Sequence, residues 1–403
     1  MKPIKLSISV DAVDHYIYKG DLYIVVSSGG IIRIPVDYLF AELKNQYLNL
    51  SGIIDLAFRR SSYWNSRAAA CFLNIPSVNK CLRSVWDEAS KSIVFNININ
   101  DLDPEIVVNE IPSEVLNMQL YADNVYLGCR NGYYASSLDS LFRNRRIDKK
   151  FDAKTFYIQP KYGKAVISFG HEGMFDADAL KLETINDPKI RKDISFLSAW
   201  TQAGGLMNYS SRSDFQFIGN KIESKQGSPD KYVVTNFAEN FDIGATLFHR
   251  DCDIYDKIVM SFNDVNDFYF ITQNRKIFKS NIRVSNANIS KLNPIEDAIG
   301  ISDKNWGRPL SGLVVAGCPV IEYDDKVVLF QNKKTYILED IPIISMRSYP
   351  KSTCFRDIVS ITCEDCIDIF AIDVFDMDSS KMYPDSDAWK TRYKKQYDVN
   401  SPF

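Results

Sequence analysis

The chain has 403 residues, 45% of them hydrophobic, enough to bury a large core. Its 48 basic and 51 acidic residues leave a formal charge of −3, so no global field draws it to nucleic acid or to an anionic membrane, and a charged partner must be met locally. No apolar run approaches the roughly twenty residues that span a bilayer.

The N-terminal stretch Met1–Val10 alternates polar and apolar residues like a strand and lacks the continuous apolar core of a secretory signal. Eight cysteines are scattered along the chain, several inside apolar runs (Cys71, Cys129, Cys318). They read as small buried hydrophobes in a reducing compartment, and a cytoplasmic protein is expected.

A strand, tight turn, strand cadence then begins. Tyr16-Ile17-Tyr18 leads through Lys19-Gly20-Asp21 into Leu22–Val26, and Ser27-Ser28-Gly29-Gly30 turns the chain into Ile31–Ile34. The cadence returns at Asp123-Asn124, Tyr162-Gly163, Val265-Asn266 and Asp324-Asp325, each flanked by aromatic and β-branched runs. Further strand pairs are expected at Ser92–Ile99, at Phe215–Ile222, and at Ile358–Thr362 with Ile367–Ile372. Helical spacing is confined to Val36–Leu43 and Asn65–Leu73, which places a helical insertion around residues 36–85.

Strand-built self-similarity at intervals of mostly roughly forty to sixty residues, with no catalytic residue repeated, is the signature of a β-propeller. The chain resembles the WD40 and kelch groups in general shape only. Trp86-Asp87 is the sole Trp-Asp pair and has no Gly-His upstream, and the paired glycines of kelch blades are missing. The expectation is therefore an all-β propeller of about seven blades over residues 1–378, six or eight also fitting the length, followed by a C-terminal extension over 379–403.

Catalytic constellations are thin. His15, His171 and His249 fall in different repeats with no ligand spacing, and they read as surface or loop residues, His171-Glu172-Gly173 standing where Gly29-Gly30 stands in the first repeat. Cys363-Glu364-Asp365-Cys366 is the sole Cys-x-x-Cys. Glu364-Asp365 fits a two-residue hairpin turn, Cys354 is the one further cysteine near enough in sequence for a metal, and a chain that folds without zinc, metal or cofactor is expected. Asp373, Asp376 and Asp378 lack the glycine turn and downstream glutamate of a calcium loop. Neither a phosphate-cradling glycine loop nor a Gly-x-Ser-x-Gly elbow occurs.

Two charged features point to partners. Arg143, Arg145, Arg146, Lys149 and Lys150 gather five cations after a repeat, in an expected exposed connection suited to an acidic protein surface, with nucleic-acid phosphate as the lesser alternative. In the extension, Tyr393 and Tyr397 alternate with Arg392, Lys394 and Lys395, and this segment is expected to pack on the ring or on a partner. The sequence thus reads as a non-enzymatic protein-interaction platform, a subunit of a larger complex. The alternative is a propeller enzyme or binding protein for a glycan or small molecule, which would require carboxylates converging with an arginine or tyrosine in one concave site.

Overall fold

The computed structural model describes residues 2–58, 75–185, 190–192, 194–200, 205–218, 220–224, 232–236, 258–264, 267–285, 288–292, 300–331, 334–350, 352 and 354–373. They form a seven-bladed β-propeller. Blade one contains Ala12–Tyr18, Asp21–Val26, Ile31–Pro35 and Glu105–Val108; blade two contains Val115–Tyr121, Asn124–Cys129, Gly132–Ser137 and Lys149–Phe151. Blade three is built from Tyr157–Lys161, Lys164–Ser168, Met174–Asp178 and Ile190–Lys192, and blade four from Leu197–Trp200, Leu206–Tyr209 and Phe215–Ile218. Blade five is built on Ile258–Asn263, Asp267–Thr272 and Lys276–Ser285, and blade six on Pro309–Val315, Cys318–Tyr323, Val327–Gln331 and Lys334–Glu339. Blade seven takes Ser345–Ser348, Ile358–Thr362 and Cys366–Ala371, then borrows Ile4–Ser9 from the start of the chain.

That borrowed strand closes the ring. Ile4 pairs with Ala371 and Ser9 with Cys366, antiparallel throughout. The first strands of neighbouring blades pack on one another along blades one to four and five to seven, and the first strand of blade seven meets that of blade one. Middle strands are therefore covered on both faces by adjacent blades, and all six residues of Asn124–Cys129 are buried. Apolar and aromatic side chains fill these gaps: Tyr126, Tyr133, Phe169 and Phe175 between blades two and three, Phe262, Tyr269, Tyr323 and Phe330 between five and six. Gly312 allows one such contact, because a Cβ there would stand 2.4 Å from the Phe262 ring.

The recurring turn has a specific conformation. Lys19-Gly20, Ala122-Asp123, Tyr162-Gly163 and Ala316-Gly317 each hold both central residues at positive φ, the mirror-image turn that matches the right-handed twist of the strands it joins. All four connect the first and second strands of a blade. The turn at Asp324-Asp325 also joins antiparallel neighbours, but these are the second and third strands of blade six, one strand later in the blade than the others.

The helical insertion leaves blade one between its third and fourth strands. It comprises α1 (Val36–Gln46), α2 (Ser51–Phe58) and α3 (Pro76–Ser92). The expected helix at Asn65–Leu73 lies outside the described residues. Pro76 opens α3 at a position where the missing N–H costs no hydrogen bond. Trp86 is fully buried on α3 and donates its indole N–H to the Lys2 carbonyl at 2.9 Å, so the lone Trp-Asp pair belongs to a helix and not to a blade.

The segment Ser92–Ile99, expected as a strand pair, is instead the end of α3 followed by one strand, Val94–Asn98. This strand runs parallel to Ile4–Ser9 and widens blade seven to five strands. Tyr47 covers the middle of its free edge: the Tyr47 hydroxyl accepts the Asn96 N–H at 3.1 Å and donates to the Asn96 carbonyl at 3.4 Å.

Candidate functional site

The five cations lie within blade two: Arg143, Arg145 and Arg146 in the connection between its third and fourth strands, and Lys149 and Lys150 on the fourth strand itself rather than in the expected connection. That connection carries α4 (Leu138–Asn144), capped by the Ser137 hydroxyl, which accepts the Ser140 N–H. Leu138 and Leu141 are buried, which orients the helix. Leu138 N–H donates to the Asp123 carbonyl at 2.8 Å, and the Arg145 carbonyl accepts the Asn109 N–H at 3.1 Å, so the segment is tied to blade two at its start and to blade one at its end. Arg145 closes the helix at φ 52°.

The cluster divides in two. Arg143, Arg145 and Arg146 are exposed, and their side chains make no hydrogen bond or ion pair with the described residues. Lys149 is committed to Asp152 at 2.5 Å and Lys150 to Asp148 at 3.3 Å. Among the described residues, the three arginines, on a segment tied to two blades, are thus the unpaired positive charge of the cluster. Phe142 joins the same neighbourhood, lying under the Arg33 guanidinium at 5.4 Å. Tyr393 and Tyr397 lie outside the described residues, as does the whole 379–403 extension.

A second polar group sits where blades seven, one and two meet. The Asp14 carboxylate is buried and accepts the Arg347 guanidinium through both oxygens, the Nε contact at 2.9 Å. It also accepts the backbone N–H of His15 at 2.9 Å and of Met118 at 2.8 Å. Asn117 repeats the last contact one blade on, accepting the Ile158 N–H at 3.2 Å. Asp14 and Asn117 are equivalent, each lying two residues beyond the first residue of the inner strand, across a break in register.

His15 contradicts the expectation of a surface histidine. It is fully buried, with Nδ1 2.7 Å from Thr362 Oγ1 and Nε2 2.5 Å from Ser360 Oγ, and burial lowers its pKa to about 3. The imidazole is neutral there and acts as a hydrogen-bonded rivet between blades one and seven. His171 stands in the turn between the second and third strands of blade three, as Gly29-Gly30 does in blade one. His249 lies outside the described residues.

The Cys-x-x-Cys segment is the expected hairpin turn: Cys363 N–H donates to the Cys366 carbonyl at 2.8 Å across Glu364-Asp365. Its surroundings were not foreseen. Asp368 brings Oδ2 to 3.7 Å from Cys363 Sγ and 3.4 Å from Cys366 Sγ, and Lys5 Nζ reaches Asp368 at 3.1 Å and Glu339 at 2.7 Å. Burial and the nearby Asp368 charge hold Glu339 up at about 7. A hydrogen bond from Cys363 lowers the Cys366 thiol and raises its own, so Cys366 is the more acidic of the two.

Cys354, the expected third cysteine, packs into the core shared by blade seven, blade one and the insertion. Cys363 and Cys366 face the core between blades six and seven. The sequence does carry a signal for Asp368, since period-two alternation puts it on the Cys366 face of the strand. Lys5 and Glu339 arrive from strands remote in sequence and had none.

No protein-family model matches this sequence, and no match to a curated protein was found. Among solved structures, the chain is similar to the β-propeller domain of Myceliophteria thermophila Cps50 (Swd1), at 8% identity over 91% of this chain and 97% of that one, with a TM-score of 0.51. It also matches the N-terminal domain of Nup159 at 11% identity over 90% of each chain, TM-score 0.44, and YCF48 bound to D1 peptide at 6% identity over 92% and 97%, TM-score 0.46. Identities this low speak to the fold alone.

Proposed function

We propose that this propeller is a non-enzymatic platform for protein partners in the cytoplasm, a subunit of a larger complex, and that the rim segment bearing Arg143, Arg145 and Arg146 holds an acidic surface of a partner. The observation that carries the reading is that these three guanidinium groups are exposed, and unpaired among the described residues, on an element anchored at both ends. Guanidinium forks recognise carboxylates in fixed geometry, and a pre-positioned helix spares the ordering cost that a loose loop would incur on binding. With a net charge of −3 the chain offers no long-range attraction, so a local patch must steer the encounter. Lys149 and Lys150, already neutralised by Asp152 and Asp148, contribute less.

The alternative, an enzyme or binder for a glycan or small molecule, draws on the meeting of a carboxylate, an arginine and tyrosines at Asp14, Arg347, Tyr16 and Tyr349. That carboxylate is single, and its hydrogen-bonding capacity is taken up by the neighbouring blades.

Joint charge reversal, Arg143→Glu with Arg145→Glu and Arg146→Glu, tests the platform reading. Tagged wild-type and triple-variant proteins are purified from the host and their co-purifying proteins quantified. The principal partner should be lost from the variant, with the difference shrinking as salt rises, while the melting temperature stays nearly constant because the side chains are exposed. Equal recovery of the partner would remove this rim as the interface, and early melting would make the arginines structural.

A further inference from the structure

The Cys363–Cys366 hairpin lies on the side of blade seven that faces blade six. Cys366 and Asp368 are two residues apart on one strand and share a face, and the tight turn folds Cys363 back beside them. The donor atoms of Cys363, Cys366 and Asp368 all lie within 4.8 Å of one another, and the sulfur-to-carboxylate separations are 3.4 and 3.7 Å. A tetrahedral zinc ion with bonds of about 2.3 Å to sulfur and about 2.0 Å to oxygen has ligand–ligand edges of roughly 3.5–3.8 Å. The two sulfur-to-carboxylate separations therefore already stand near the spacing such an ion requires.

A second observation comes from Asp368 itself. Its carboxylate is 1% exposed, and Oδ1 is buried without a hydrogen-bond partner. Oδ2 is met by the two thiols and Lys5, but Oδ1 keeps an unmet acceptor in a buried place, which is costly, and the charge of Lys5 is divided with Glu339. A divalent ion would meet both deficiencies, covering the carboxylate and holding the thiols as thiolates. Two thiolates and a carboxylate around a 2+ ion leave one negative charge, which the adjacent Lys5 ammonium balances. Two sulfurs in the donor set favour zinc over magnesium or calcium.

We propose that Cys363, Cys366 and Asp368 form a binding site for a zinc-class divalent ion, with water completing the tetrahedron and Lys5 as the neighbouring counter-charge. The site is an addition to a finished fold, since the hairpin is already held by its own backbone bonds and by the tie from Val10 N–H to the Asp365 carbonyl at 3.0 Å.

The experiment uses the full chain, reduced and stripped of metal by a chelator, and titrates it with cobalt(II) as a spectroscopic stand-in for zinc. Thiolate-to-cobalt charge-transfer absorption and the visible bands of tetrahedral cobalt should rise to one equivalent and vanish on adding zinc. Cys363→Ser with Cys366→Ser should abolish the bands, and Asp368→Asn should weaken binding at least tenfold. Cys354→Ser, on the other side of the blade, should leave binding unchanged. Circular dichroism on each variant, with Cys366→Ser alone as the milder replacement at the half-buried position, separates lost ligation from lost folding. Absence of the bands in the folded wild-type protein, or bands that survive in a folded variant lacking both sulfurs, would overturn the proposal.

Discussion

His15 shows how one residue's surroundings set a property of the whole protein. Its ordinary pKa of 6.5 applies to the unfolded chain, whereas in the fold it is lowered to about 3. Between these values the unfolded state takes up a proton that the folded state refuses, so acidification through that window favours unfolding, by up to about 1.4 kcal/mol per pH unit. Glu339 acts with the opposite sign. Its pKa is raised from 4.5 to about 7, so its contribution is present below pH 4.5 and is lost as pH rises toward 7. The two partly cancel in a raw stability profile, and comparison with a variant is needed to separate them. Urea midpoints measured from pH 7 to pH 4 should fall less steeply for His15→Asn than for the wild-type protein. Parallel profiles would mean that the imidazole is not held neutral.

At the scale of elements, what matters is how each blade is fastened to the next. Apolar packing holds blade against blade everywhere, but the junction of blades seven and one adds a buried ion pair, Asp14 with Arg347. Removing one member strands the other in a low-dielectric site, a loss of about 3–5 kcal/mol, whereas removing both is milder. Arg347→Met alone should therefore lower stability by that order. The Asp14→Asn, Arg347→Met double variant should lose less than the sum of the two single variants. Additive losses in a chemical-denaturation cycle would show that the pair is not coupled. The same logic explains Tyr47, whose hydroxyl satisfies the Asn96 N–H and carbonyl on the exposed edge of Val94–Asn98.

For the whole molecule, one strand decides whether there is a ring. Ile4–Ser9 is hydrogen-bonded on one side to Cys366–Ala371 and on the other to Val94–Asn98, and its Ile4, Leu6 and Ile8 are fully buried. Burial of three such side chains is worth about 5–9 kcal/mol, comparable with the entire stability of an ordinary domain. A chain lacking residues 1–10 should lose its cooperative melting transition and aggregate through two unpaired edges, and a peptide of residues 2–10 added in trans should restore solubility in part. A soluble, cooperatively melting truncation would show that the closure is dispensable.

The architecture was legible from the sequence because its determinants are local. Alternating aromatic and β-branched runs make strands, and pairs such as Lys19-Gly20 and Tyr162-Gly163 adopt the left-handed conformation that turns them, so the repeat reads without knowledge of distant contacts. The hairpin at Cys363–Cys366 was legible for the same reason, and so was the presence of a helical insertion. The sequence could not show that Val94–Asn98 would join blade seven rather than fold on its neighbours, since that choice depends on the free edge of Ile4–Ser9, nearly ninety residues earlier in the chain. Nor could it show that His15 would be buried, or that Lys5, Glu339 and Asp368 would gather beside two cysteines. Each of these depends on side chains brought together only when the ring closes, and the spacing of residues along the chain holds no record of that encounter.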